Sequence, residues 1–104
     1  MVSKKDIFAK LEEVIDPELG MNIVDLGLIY SLEIKKKKKN ELQKVFIEMT
    51  FTTPACPMIT EMLNEVKTKL DIFKDLDIEL NVVFEPPWTT EYMSDRAKIK
   101  LGML

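Results

Sequence analysis

The sequence predicts an α+β fold: a two-layer α/β domain in the order α-β-β-α-β-α, with a small mixed three-stranded sheet and helices on one face. Three observations lead there. Three stretches alternate apolar and polar residues with period two. Three others carry helical spacing or helix-capping residues. The strands have one apolar face each, so helices on a single side suffice to cover them. No repeat or linker divides the chain, and residues 1–104 are expected to form a single domain.

Ser3 is placed to cap a first helix, with Asp6 three residues on as its capping-box partner. Ile7, Phe8, Leu11, Val14 and Ile15 follow at helical spacing. The helix is expected to end near Asp16, because Pro17 disfavours helical backbone in the residue before it. DPELGMNIVDLG then reads as a turn-rich segment with one short helical turn at Ile23 to Leu26. In LIYSLEI, residues Leu28, Tyr30, Leu32 and Ile34 share a face; in VFIEMTF, Val45, Ile47, Met49 and Phe51 do. These two strands flank KKKKKNELQK, which predicts a hairpin with a long charged loop.

The second helix is expected to start at Pro57, since proline suits the first helical position. Its apolar stripe is Met58, Ile59, Met62, Leu63, Val66 and Leu70, and Lys67 and Lys69 complement the dipole at its end. IELNVVF gives the third strand, with Ile78, Leu80, Val82 and Phe84 inward. EPPW breaks the chain, Ser94 caps a last helix through Lys100, and Gly102 stops it. The seven methionines fall largely on these apolar stripes and read as core.

Composition narrows the function. Apolar residues make up 46% and charged residues 32%, and the formal charge is −3. No basic field is available to attract nucleic acid or membrane, and the lysine run Lys35 to Lys39 reads as a solvated hairpin tip. The chain has no histidine, so Ser-His-Asp triads, Cys-His dyads and HExxH zinc sites are excluded. Its three glycines form neither GxGxxG nor a P-loop, and no nucleotide or haem is expected. One cysteine excludes an internal disulfide and fits a reducing compartment. The N-terminus carries no signal-peptide run and no segment is long enough to span a bilayer, so a cytoplasmic protein is expected.

That cysteine, Cys56, lies in TTPACPM between two prolines. A thiol just before a helix start is stabilised as thiolate by the unpaired amides and the dipole. Thr52 and Thr53 supply hydroxyls to the same segment. The alternative is a small buried residue that only packs. In DPEL, Asp16 and Glu18 lie two apart, with Asp25 seven beyond. Such carboxylates suit a hard metal or a partner's base, or simply a turn. Trp88, after two prolines, suits a partner contact or a cover for the end of the core.

Three motifs in order, VIDPELGMNIVDLGLIY, TFTTPACPM and PPWTTEYMSDRAKIKLG, resemble the SufT/PaaD-like iron–sulfur cluster assembly (FSCA) domain family nearly end to end. The resemblance implies a non-enzymatic auxiliary factor in assembling clusters or maturing iron–sulfur proteins. It implies Cys56 as the key thiol and a transient cluster ligand, ringed at the surface by Asp16, Glu18, Leu19, Thr52 and Thr53. Partners would be the assembly machinery and client apoproteins. PaaD-like relatives usually add a cysteine-rich tail, and this sequence ends at Leu104 without one, which favours the SufT-like reading. Clusters normally take about four thiolates. One per chain requires a homodimer, a small thiol or a partner's cysteines. Two other readings remain: a thiol-dependent enzyme using Cys56, for which no obvious base is present, and a structural adaptor holding no cluster.

Overall fold

The computed structural model describes residues 3–17, 19–35, 42–52, 58–73 and 76–102. Helix α1 (Lys4–Leu11) opens with the expected capping box: the Ser3 hydroxyl accepts from the Asp6 amide, and the Asp6 carboxylate accepts from the Ser3 amide. It ends at Leu11, earlier than expected. From Val14 the chain is extended, and Ile15 and Asp16 (β1, Ile15–Asp16) pair antiparallel with β2 (Met21–Asn22). Val14 still reaches the core, but Ile15 is 45% exposed and leaves the helical stripe. The backbone groups of this segment find partners across the hairpin, as in the Ile23 N–H to Val14 C=O bond of 3.0 Å, and β-branched Val14 and Ile15 favour that extended state.

Residues 23–27 form a tight turn in which the Leu26 N–H donates to the Asn22 carbonyl at 3.1 Å. The turn expected at Ile23 to Leu26 is therefore present. Gly27 closes it at φ +77°. The chain then enters β3 (Ile29–Ile34), β4 (Gln43–Met49), α2 (Ile59–Leu70) and β5 (Leu76–Val82). A 3-10 turn (Thr90–Tyr92) and α3 (Asp95–Lys100) complete the described elements. Among the described residues the strands thus form the expected mixed three-stranded sheet, in the order β3-β4-β5, and an additional two-stranded hairpin. β3 and β4 run antiparallel; β4 and β5 run parallel, joined through α2.

β4 shows the cleanest one-sided pattern. Val45, Ile47 and Met49 are fully buried, with Phe51 just beyond at 2% exposure. β3 departs from strict alternation. Ile29 pairs with Met49 but Ser31 pairs with Glu48, leaving Tyr30 as an extra residue in a bulge. Tyr30 accordingly leaves the core face where period two placed it. Phe84 also departs: it lies beyond β5 and is 36% exposed.

Helix α2 begins at Ile59 with Met58 as its cap, two residues later than the start expected at Pro57. Pro57 itself lies outside the described residues. The stripe Met62, Val66 and Leu70 is buried, with Met58, Ile59 and Leu63 packed at its margin. α1 and α2 also meet at the surface, where Glu13 bridges Lys10 at 3.1 Å and Lys69 at 3.3 Å. Ser94 caps α3 by accepting from the Ala97 amide at 3.2 Å, and Gly102 follows at φ +77°, as expected. The core gathers Ile7, Leu11, Ile23, Leu26, Leu28 and the inner residues of β4 and α2. Four described methionines (21, 49, 62 and 93) are buried in it.

Candidate functional site

The carboxyl ends of β4 and β5 lie side by side, because the two strands are parallel and in register from Gln43–Leu76 to Met49–Val82. The Val83 N–H still donates to the Met49 carbonyl at 2.9 Å. Beyond that bond the strands part, and a cavity of about 280 Å3 opens between Phe51, Thr52, Phe84, Glu85, Pro87 and Trp88. Crevices outside the carboxyl ends of parallel strands are where α/β sheets commonly bind ligands. Residues 53–57, TPACP, run on in sequence from Thr52.

Trp88 forms one wall. It is half-buried, and its indole N–H donates to the Leu26 carbonyl at 2.7 Å. The same residue therefore closes an end of the core and offers ring surface to the cavity. The segment before it is held by Tyr30, whose hydroxyl donates to the Pro86 carbonyl at 2.8 Å. The Tyr30 ring lies 5.2 Å from that of Tyr92. Burial, with Tyr92 and Glu85 nearby, pushes the Tyr30 hydroxyl above its ordinary pKa and keeps it a neutral donor. The bulge in β3 is what turns Tyr30 toward these partners.

Of the residues singled out in the sequence, the structure brings Thr52 and Trp88 to one cavity. Cys56, Glu18 and Thr53 lie outside the described residues. Asp16 is described, and it is buried at 3% exposure rather than surface-displayed. One carboxylate oxygen accepts from the Leu19 amide at 3.4 Å, and its carbonyl accepts from the Gly20 N–H at 2.7 Å, so it organises the turn at Leu19 and Gly20. Leu19 packs half-buried against the core. Among the described residues no group of three or more His, Cys, Asp or Glu is placed to hold a metal.

Asp25, read from the sequence only as a third carboxylate, has a different task. It accepts from Asn22 Nδ2 at 2.8 Å, from the Ser94 hydroxyl at 3.1 Å and from Arg96 Nε at 2.9 Å, with a second, short bond from the Arg96 terminal nitrogen. Burial raises its pKa, but the bonds from Arg96, Asn22 and Ser94 together outweigh it and hold the carboxyl below its ordinary value. The three-residue spacing of Asn22 and Asp25 suits the local turn bonds that they form. The link to Ser94 and Arg96 had no sequence signal, because it spans most of the chain.

These features define a class: a small α+β domain whose parallel strand pair opens onto an aromatic-walled cavity. Solved structures share its fold. A domain of unknown function, DUF59, from Bacillus anthracis superposes with a TM-score of 0.79 at 42% identity, covering 97% of this chain and 92% of its own. The chain belongs to the iron–sulfur cluster assembly protein family, whose model matches residues 4–82. It is 42% identical over 101 residues to the Fe-S protein maturation auxiliary factor YitW of Bacillus subtilis, covering 96% of this chain and 94% of that protein. It is also 42% identical over 91 residues to the Fe-S protein maturation auxiliary factor SufT of Staphylococcus aureus, covering 86% of this chain and 98% of that protein. Among the described residues no helix is long and apolar enough to cross a membrane.

Proposed function

We propose that this protein is a cytoplasmic, non-enzymatic auxiliary factor in the maturation of iron–sulfur proteins, and that Cys56 is its working thiol. Its cargo is an iron–sulfur cluster held in transit. The Cys56 thiol loses its proton to solvent and its sulfur ligates cluster iron; the remaining thiolates come from the assembly machinery, the client apoprotein, a small thiol or a second copy of the chain. On transfer a client thiolate replaces Cys56, which takes up a proton again. No electron moves in either step. A site with one thiolate per chain is weak by design, which suits a carrier that must release what it holds.

The observation that carries this reading is the cavity at the carboxyl ends of β4 and β5, where Thr52 leads the chain into TPACP and Trp88 supplies an apolar wall. A client segment bringing thiolates can seat there against an indole already fixed by Leu26. Asp16 accepts from the Leu19 amide, and Glu18, between them in the sequence, is the second contact of this reading. The match to auxiliary factors over nearly the whole chain supports the same role.

The test is anaerobic reconstitution with iron and sulfide in the presence of a small thiol, comparing wild type with Cys56→Ala. Visible charge-transfer bands and bound iron in the wild type, absent from the variant, are the expected result. If neither protein acquires a cluster but a client still matures normally with Cys56→Ala, the carrier role is lost. The adaptor reading, with Trp88 as partner contact, then takes its place.

A further inference from the structure

Strand β5 lies at one side of the sheet, and among the described residues no strand pairs with its far edge. The direction of its backbone groups follows from one bond. The Val83 N–H points to β4, donating to Met49. Backbone groups alternate sides along a strand, so Asp77, Glu79 and Asn81 also turn theirs to β4. Ile78, Leu80 and Val82 turn their N–H and C=O groups to the open edge. Burial agrees with an open edge. The inward side chains of β4 are fully buried, whereas Leu76, Ile78, Leu80 and Val82 are only half-buried.

A groove of about 560 Å3 runs along this edge between β5 and the second half of α2. It is lined by the apolar residues Val66, Leu70, Phe73, Leu76, Ile78 and Leu80 together with Lys67, Asp71 and Glu79, so the charged lining carries two acids to one cation. The other face of β5 presents Asp77, Glu79 and Asn81 to solvent. Lys44 stands opposite Asp77 in register and offsets it in part; Glu79 stands opposite Phe46, with no cation in register. Acidic side chains on an edge repel a second copy of the same strand, since antiparallel self-pairing brings acid to acid. They favour a strand of opposite charge.

The geometry points to the β5 edge as a docking site for an extended segment of a partner protein that alternates basic and apolar residues. The segment adds as a fourth strand. Its backbone bonds to Ile78, Leu80 and Val82, its apolar side chains enter the groove beside Val66 and Leu70, and its basic side chains lie over Glu79 and Asp77. This site uses neither Cys56 nor the cavity at Trp88, so it stands or falls apart from the cluster-carrying role.

The probe is a fluorescently labelled peptide of alternating Lys and Val. It is measured by anisotropy against the full chain and by amide chemical shifts of the isotope-labelled protein. Three controls accompany it: a Glu/Val alternating peptide, a Lys/Val peptide of the same composition in blocks, and the alternating peptide with every second amide methylated. The alternating basic peptide is expected to bind at least about tenfold more tightly than each control. Shifts should centre on Ile78, Leu80, Val82, Val66 and Leu70. The doubly substituted Asp77→Lys, Glu79→Lys chain changes only exposed side chains. It should invert the preference and bind the Glu/Val peptide. Equal binding of block and alternating peptides, shifts confined to another face, absence of binding, or an unchanged preference in the double variant would each overturn the assignment.

Discussion

A methyl group added at Gly27 meets the Tyr92 carbonyl oxygen at 2.1 Å, with a backbone φ of +77° that disfavours any side chain. At Gly20 the φ is +69°, but nothing lies within 4 Å of the added atom. Gly27→Ala should therefore cost at least about 3 kcal/mol, from backbone strain and overlap together. Gly20→Ala should cost about 1–2 kcal/mol, from strain alone. Urea midpoints of the two variants measure the difference. Asp25 gives a pH-dependent case at the same scale. Its folded pKa is depressed, so the folded chain binds that proton less readily than the unfolded chain. Its contribution is complete above the ordinary carboxylate range and is lost as pH falls through the depressed value. Asp25→Asn should lower the thermal midpoint at neutral pH, and the gap to wild type should narrow below about pH 4. A gap independent of pH would show that the carboxylate's charge is not what binds Arg96.

At the scale of elements, α2 tests how the core is shared. Met62 is 2% exposed and faces the sheet, so Met62→Ala should cost about 2–5 kcal/mol. Exposed Thr68→Ala on the opposite face should stay within about 0.5 kcal/mol, both read from urea unfolding. This helix, α1 with its Ser3 box, α3 with its Ser94 cap and the alternation of β4 were legible because each signal is local: residues three, four or two apart decide them. The bulge at Tyr30 was not, since an extra residue changes pairing with β4 without changing the composition of β3. The hairpin of Ile15–Asp16 with Met21–Asn22 is too short for any period to show. At the candidate site, the placement of Thr52 in a strand-to-helix segment and of Trp88 after a strand end followed from the pattern. Their meeting in one cavity required the parallel register of β4 and β5. The burial of Asp16 was hidden for the same reason: an acid before proline reads as an exposed turn opener, and only the folded hairpin encloses it.

For the whole molecule, the family match ends at residue 82, but the core does not. Met93 is 4% exposed and Ala97 fully buried, Trp88 donates to Leu26, and Ser94 and Arg96 hold Asp25. A chain cut after Phe84 uncovers that side of the core and leaves the Leu26 carbonyl without the indole. It should lose its cooperative urea transition, followed by circular dichroism, although every strand remains. A transition equal to that of the full chain would mean that the last twenty residues only decorate a complete domain.

The bonds from Ser94 and Arg96 to Asp25 also set an order of events in the cell, because they join residues 69 and 71 positions apart. A ribosome adding about 5–20 residues per second releases Asp25 roughly 3–14 s before the side chains that hold it. During that interval the turn after β2 is a nascent loop with its acid in water, and the indole that will cap Leu26 has yet to be made. Closure around Asp25 therefore waits until Ser94 and Arg96 have been made, however early the first strands pair.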